Sequence, residues 1–197
     1  MRYRPHLTAL HAACERSNLD VVEYLIQAGA NINASDEKGR TPLHRALSSC
    51  NANATDLLLR LGADKCITDF LGCSALHYAA RAGFIHELEK LLERDKLVDM
   101  ADTAGWTPLH WGARNGALDG VQLLVEAGAN IEVRNLSGQT PLAVAIFFGK
   151  DHLCPLLSDS EAIPEYPKGQ RSVREDEVVV CESCRMVSPI MISSVSF

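Results

Sequence analysis

The amino-acid sequence predicts an all-α solenoid of about five stacked helix-turn-helix units with β-hairpin-like finger loops, and three observations carry that prediction. First, Thr8-Ala9-Leu10-His11, Thr41-Pro42-Leu43-His44, Ser74-Ala75-Leu76-His77, Thr107-Pro108-Leu109-His110 and Thr140-Pro141-Leu142-Ala143 start 33 residues apart without insertion. Second, every copy carries helix-capping chemistry at the same offsets. Third, the apolar residues between the copies keep helical spacing. A unit this small cannot bury both of its faces alone, so neighbours must stack into one thin, continuous core.

Within a unit, the elements follow in order. The Thr or Ser is an N-cap, its hydroxyl accepting from the free backbone N–H groups of the first turn. Pro42, Pro108 and Pro141 take the first helical position, where a missing N–H costs nothing. Gly83, Gly116 and Gly149 end this first helix after about two turns, as a left-handed C-cap does. A second helix follows, with Leu19, Val22, Leu25 and Ile26, or Leu118, Val121, Leu124 and Val125, on one face. Leu25, Leu58, Leu91, Leu124 and Leu157 mark its shared core column, and Gly29, Gly62 and Gly128 stop it. A polar segment then turns the chain back. It carries Asp36, Asp69, Asp102 or Asn135 three residues before Gly39, Gly72, Gly105 or Gly138.

Some positions depart from the pattern. Residues 1–6 stand where the first finger belongs, and Cys50-Asn51 replaces the helix-ending Gly of the second unit. Glu93-Arg94-Asp95-Lys96 replaces the Gly-Ala step of the third, and the fifth unit loses the pattern after Leu157. The expected boundaries are a repeat domain over 1–157, with units at about 6–34, 35–67, 68–100, 101–133 and 134–160, and a tail over 161–197.

The T-P-L-H motif, the Gly-Ala-Asn/Asp step and the 33-residue period resemble the ankyrin repeat from about Leu7 to Leu157. The resemblance implies a non-catalytic protein-protein interaction adaptor or scaffold that binds along the concave face made by finger tips and first helices. A regulatory or inhibitory subunit masking an enzyme or transcription factor is the alternative. Carried over position by position, that face has fingers Glu37-Lys38, Phe70-Leu71, Thr103-Ala104 and Leu136-Ser137, and Arg40, Cys73, Trp106 and Gln139 before the caps. Its first helices present Arg81, Arg114 and Phe147-Phe148, with Arg45, Tyr78 and Trp111 one turn earlier.

Phe70, Tyr78, Arg81, Trp106, Trp111 and Arg114 gather in the third and fourth units, and the two Trp residues of the chain are among them. Aromatics and Arg are enriched where a single truncation costs a complex about 2 kcal/mol or more. These six are the candidate partner-binding residues. Tyr78 and Trp111 have a second reading, inter-repeat packing, because their column usually holds Leu. Arg45, Arg81 and Arg114 read as a basic ladder along the groove, suited to an acidic, aromatic-tolerant segment.

Catalysis, cofactors and metals find little support in these residues. His11, His44, His77 and His110 recur at 33, too far apart to share an ion at bond lengths of about 2 Å. The resemblance gives them a structural hydrogen-bonding role near the helix start. Cys181-Glu182-Ser183-Cys184 has the form of half a zinc site or of a redox pair, but the nearest further donors, His152 and Cys154, lie far upstream and a thioredoxin-like βαβ setting is absent, so neither is expected. Asn33 is similar to asparagines hydroxylated in such proteins, but its column also serves ordinary loop hydrogen bonding, the reading kept here. No phosphate loop, nucleophile elbow or metalloprotease helix occurs.

Composition agrees. The 197 residues are 47% hydrophobic with a net charge of −6 and a pI near 5.6, which argues against a diffuse nucleic-acid footprint. No run of 18 apolar residues is present, and the seven Cys follow no disulfide framework. A monomeric, cytoplasmic or nuclear protein with another protein as partner is expected. In the tail, Val178-Val179-Val180 reads as a short strand, and the terminal Val195-Ser196-Phe197 has the form of a weak strand-addition ligand.

Overall fold

The computed structural model describes residues 8–92, 98–158, 179–181 and 186–188. Among them ten α-helices succeed one another: α1 (Ala9–Glu15), α2 (Leu19–Gln27), α3 (Pro42–Ser48), α4 (Ala52–Arg60) and α5 (Ala75–Ala82). After these come α6 (Ile85–Leu92), α7 (Pro108–Asn115), α8 (Leu118–Glu126), α9 (Pro141–Phe147) and α10 (Cys154–Leu157), the last preceded by a 3-10 turn over Asp151–Leu153. Odd-numbered helices pack in one row, α1 on α3 on α5 on α7 on α9, and α2, α4, α6 and α8 form the second row. The result is an all-α repeat solenoid. Beyond it, β1 (Val179–Cys181) pairs antiparallel with β2 (Met186–Ser188). The Glu93-Arg94-Asp95-Lys96 departure, the tail's remaining residues, Cys184 and the terminal tripeptide lie outside the described residues.

Two Leu columns make the core. Leu10, Leu43, Leu76, Leu109 and Leu142 point inward from the first helices, and Leu58, Leu91, Leu124 and Leu157 from the second. Ala46, Ala79 and Ala145 are wholly buried between the rows, so the helices approach closely. Leu25, in the end unit with a neighbour on one side, is half-buried.

Each unit is tied to the next through the histidine of its motif. In the first four units the His Nδ1 accepts the N-cap backbone N–H, for example Thr41 N at 3.0 Å and Thr107 N at 3.2 Å. An accepting Nδ1 assigns the Nε2–H tautomer. That Nε2–H then donates across the interface to the carbonyl just before the next cap: His11 to Arg40 O at 2.9 Å, His77 to Trp106 O at 3.1 Å, His110 to Gln139 O at 3.0 Å. His44 departs: its Nε2 makes no hydrogen bond although the Cys73 carbonyl is near enough to favour a charged ring. Its ring packs instead against Tyr78, with centroids 5.1 Å apart.

The finger loops close on themselves and on one another. Asp36, Asp69, Asp102 and Asn135 Oδ1 each accept two backbone N–H groups of their own turn, such as Ala104 and Trp106 on Asp102. Adjacent fingers share one backbone bond per step: Phe70 N to Lys38 O at 3.0 Å, Thr103 N to Leu71 O at 2.8 Å, Leu136 N to Ala104 O at 3.0 Å. Glycine is required beneath these bonds. A Cβ on Gly105, at φ 75°, would stand 2.9 Å from Leu136 N.

The helix-ending column turns left-handed in every unit, whatever residue occupies it. Gly83 and Gly116 have φ of 71° and 76°, while Ser17 and Cys50 adopt 59° and 57°. The stack thus imposes a conformation that costs an L-residue about 1–2 kcal/mol. Replacing Cys50 by Gly is expected to stabilise the fold by about 1 kcal/mol, read as a raised denaturation midpoint at unchanged slope.

Burial lowers the pKa of His11, His44, His77 and His110 below the ordinary imidazole value, His44 to about 4. The unfolded chain therefore binds more protons in acid. Stability is full above about pH 6.5 and falls as the pH drops from there toward about 4. Thermal melts at pH 7 and pH 5 should show that fall, and His44→Gln should make it shallower.

Candidate functional site

The first-helix row and the fingers form one continuous edge, on which the third and fourth units gather the aromatics. Trp106 is placed by its turn: its N–H donates to Asp102 Oδ1 at 2.9 Å and its carbonyl accepts from His77. These backbone bonds leave the indole half-buried beside α7, with its centroid 5.5 Å from Trp111 and 5.8 Å from His110.

Tyr78 and Trp111 occupy the same column of successive units, nine residues after the finger Asp, and both give their polar tips to it. Tyr78 OH donates to Asp69 Oδ2 at 2.8 Å, and Trp111 Nε1–H donates to Asp102 Oδ2 at 3.1 Å. Burial first, then the Asp69 carboxylate, push the Tyr78 phenol above its ordinary pKa. Tyr78 packs on the core and meets His44, with no ring contact to the tryptophans among the described residues. Trp111 stands among cations. The Arg81 guanidinium lies 5.7 Å from its ring centroid and that of Arg114 5.5 Å.

Arg114 is the hub of the cluster, since it also stands 5.8 Å from the Trp106 ring and 5.0 Å from Phe148. Both Arg81 and Arg114 are exposed. A guanidinium over an indole face is attracted by the ring quadrupole, by about 0.5–1 kcal/mol at such sites. Phe148 was one of the groove positions and not one of the six candidates. The signal available was its spacing, since 148 lies one period beyond the Asn115 column, next to Arg114 in the neighbouring unit.

Phe70 does not join this cluster through a ring contact among the described residues. It stands 74% exposed on its finger, and its ring lies across the preceding one, so close that a Cβ on Gly39 would meet Phe70 Cδ1 at 2.6 Å. Leu71 and Leu136, also on finger tips, are 64% and 81% exposed. A shallow cleft of about 260 Å³ opens beside the cluster between the third and fourth units, lined by Arg81, Gly83, Asn115, Leu118 and Asp119.

The basic ladder needs one correction. Arg45 shares the column of Tyr78 and Trp111, one turn before Arg81 and Arg114. At that depth it is buried and donates to Glu15 Oε2 at 2.7 Å. Its charge is neutralised by the first unit, so the exposed groove cations of this set are Arg81 and Arg114 alone.

Other chemistry-bearing residues have structural occupations. His152 Nε2 contacts the Gly116 carbonyl at 3.2 Å, and Cys154 is buried in α10. Asn33 Oδ1 accepts Asp64 N–H at 3.0 Å, as Asp99 Oδ1 accepts Asn130 N–H at 2.9 Å two periods on. Burial raises the Cys14 and Cys73 thiols to about 12, far from the reactive range. Among the described residues no three His, Cys, Asp or Glu side chains gather at metal-binding distance, and no helix is long and apolar enough to cross a membrane.

Comparison with known proteins agrees with this architecture. The sequence model of one family, described as ankyrin repeats in three copies, matches residues 2–69 and 62–135. A stretch of 33 residues, 17% of the chain, is 58% identical to the ADP-ribosylation factor GTPase-activating protein AGD1 of Arabidopsis thaliana. The chain covers 4% of that protein's length, so the likeness extends over a single repeat.

The Trp111–Asp102 bond is separable from the ring. Trp111→Phe keeps an aromatic between the two cations and removes the donor, and it should lower stability by about 1 kcal/mol in chemical denaturation. Trp111→Ala should cost clearly more.

Proposed function

The chain belongs to the ankyrin repeat family, and from that premise we propose that it is a non-catalytic protein-binding adaptor or scaffold whose concave groove in the third and fourth units clasps a partner segment. One observation carries the reading. Trp106, Trp111, Arg81 and Arg114 form one connected aromatic-cation cluster at the surface, and the column of Trp106 needs no aromatic for the fold. The equivalents of Trp106 are Arg40, Cys73 and Gln139, and each gives its backbone N–H to the finger Asp or Asn in the same way. An indole there adds nothing to the turn, and it offers a large, stiff apolar face to a partner.

Phe70, with Leu71, extends that surface along the finger tips, and Leu136 continues it on the next finger but one. Tyr78 lies beneath, where it steadies the Asp69 turn that carries Phe70. The repeated histidines support a binding role over a catalytic one, because their Nδ1 atoms accept the cap N–H groups and burial keeps the rings neutral.

Affinity capture from lysate with the full chain and with Trp106→Ala tests the reading. The variant should lose its partner by at least about tenfold, while its melting temperature moves by no more than a few degrees. Capture that survives the substitution unchanged would sink the proposal.

A further inference from the structure

We infer that Arg81 and Arg114, laid against Trp106 and Trp111, form a carboxylate-reading subsite, and that the segment held in the groove places an Asp or Glu side chain there between apolar neighbours. The inference rests on the groove reading above and specifies its occupant. Its starting point is how the local carboxylates are already used. Asp69 and Asp102 give Oδ1 to their turn amides, and their Oδ2 atoms accept from Tyr78 OH and Trp111 Nε1. Both oxygens of each finger carboxylate thus have hydrogen-bond partners within the fold. Among the described residues, Arg81 and Arg114 have no carboxylate within 4.0 Å. Asp119, across the cleft from Arg81, makes no ion pair with it there.

The two guanidiniums are also held in place. Arg114 is surrounded by three aromatic rings at 5.0–5.8 Å, and Arg81 is held over one of the same rings at 5.7 Å. Contact with a ring face leaves the N–H edge of a guanidinium free, and that edge is the fork that matches a carboxylate with two parallel bonds. Little rotamer freedom remains to be lost on binding. The surroundings define the flanks. Phe147 and Phe148 are 52% and 40% exposed, and Leu136 is 81% exposed on its finger. On a chain of net charge −6, this is a local cationic patch with apolar borders, the complement of an acidic residue set among apolar ones.

Both tryptophans of the chain lie in this cluster, so intrinsic fluorescence reports its occupancy without a label. Three synthetic peptides of one apolar frame serve as probes: acetyl-Ala-Leu-Glu-Glu-Leu-Val-Ala-amide, its Gln-Gln counterpart, and a counterpart with phosphoserine at the first Glu. Titrated into the full chain, the Glu peptide should shift the emission and bind about tenfold more tightly than the Gln peptide. Raising the salt from 50 mM to 1 M should erase about that advantage. Arg114→Gln and Arg81→Gln should each shrink it, with melting curves like the parent's because both residues are exposed. Equal affinity for the Glu and Gln peptides, or no emission change with either at millimolar concentration, overturns the inference. Tighter binding of the phosphoserine peptide overturns it as well and assigns the cations to phosphate. Equal affinities that both disappear in Trp106→Ala would remove the carboxylate while leaving the groove reading intact.

Discussion

The register of this structure depends on the two-sided use of a buried imidazole, made in full by His11, His77 and His110. The ring accepts at Nδ1 from the cap of its own helix and donates at Nε2 to the finger of the next unit. The first bond fixes where a helix starts, and the second fixes where the following loop must stand. Because both nitrogens are committed, the ring has to be neutral and in one tautomer, which its burial enforces. A Leu core alone would hold the helices together without fixing the loops, since apolar packing is non-directional. The imidazole converts a stack of helices into a stack of registered fingers.

The proposed binding surface inherits that order. Trp106 stands where it does because its carbonyl is held by His77 and its N–H by Asp102, leaving the side chain to project over α7. Asp102 then reaches forward to Trp111, and Trp111 lies under the two guanidiniums. The chain of contacts runs from the core, through a buried histidine and a loop carboxylate, to an exposed aromatic-cation cluster. At the interface between the second and third units the imidazole bond is missing. There His44 and Tyr78 meet through their rings, and Tyr78 reaches the Asp69 turn directly. That interface rests on the ring contact and on the finger bond from Phe70 N–H to Lys38 O, without an imidazole-to-carbonyl bond.

Much of the fold was legible because its determinants are local. Caps, helix stops and core leucines each express the physics of a few neighbouring residues, and the 33-residue period repeats that expression. Even the departure at Cys50 kept its geometry, since the stack imposes the left-handed turn on whatever residue is there. The site was legible in part. Its columns could be carried over, and the structure brings Trp106, Trp111, Arg81 and Arg114 into contact. Arg45 misled the reading because its environment is set by Glu15, 30 residues earlier, and by depth along the helix, which a charge pattern does not encode. Partners for Tyr78 and Trp111 were visible in principle: each follows a finger Asp by nine residues and carries a donor at its tip. Asp36 has Arg45 at the same spacing yet bonds Arg40, so spacing without geometry would have been ambiguous.

The claim that a histidine of one unit orders the finger of the next is tested most directly by amide hydrogen exchange on His77→Ala beside the parent chain. The account predicts that Ala104 and Trp106, the amides closed by Asp102, exchange at least about tenfold faster in the variant, while α1 and α2 keep their protection. Unchanged protection at Ala104 and Trp106, in a variant that has lost stability uniformly, would contradict it.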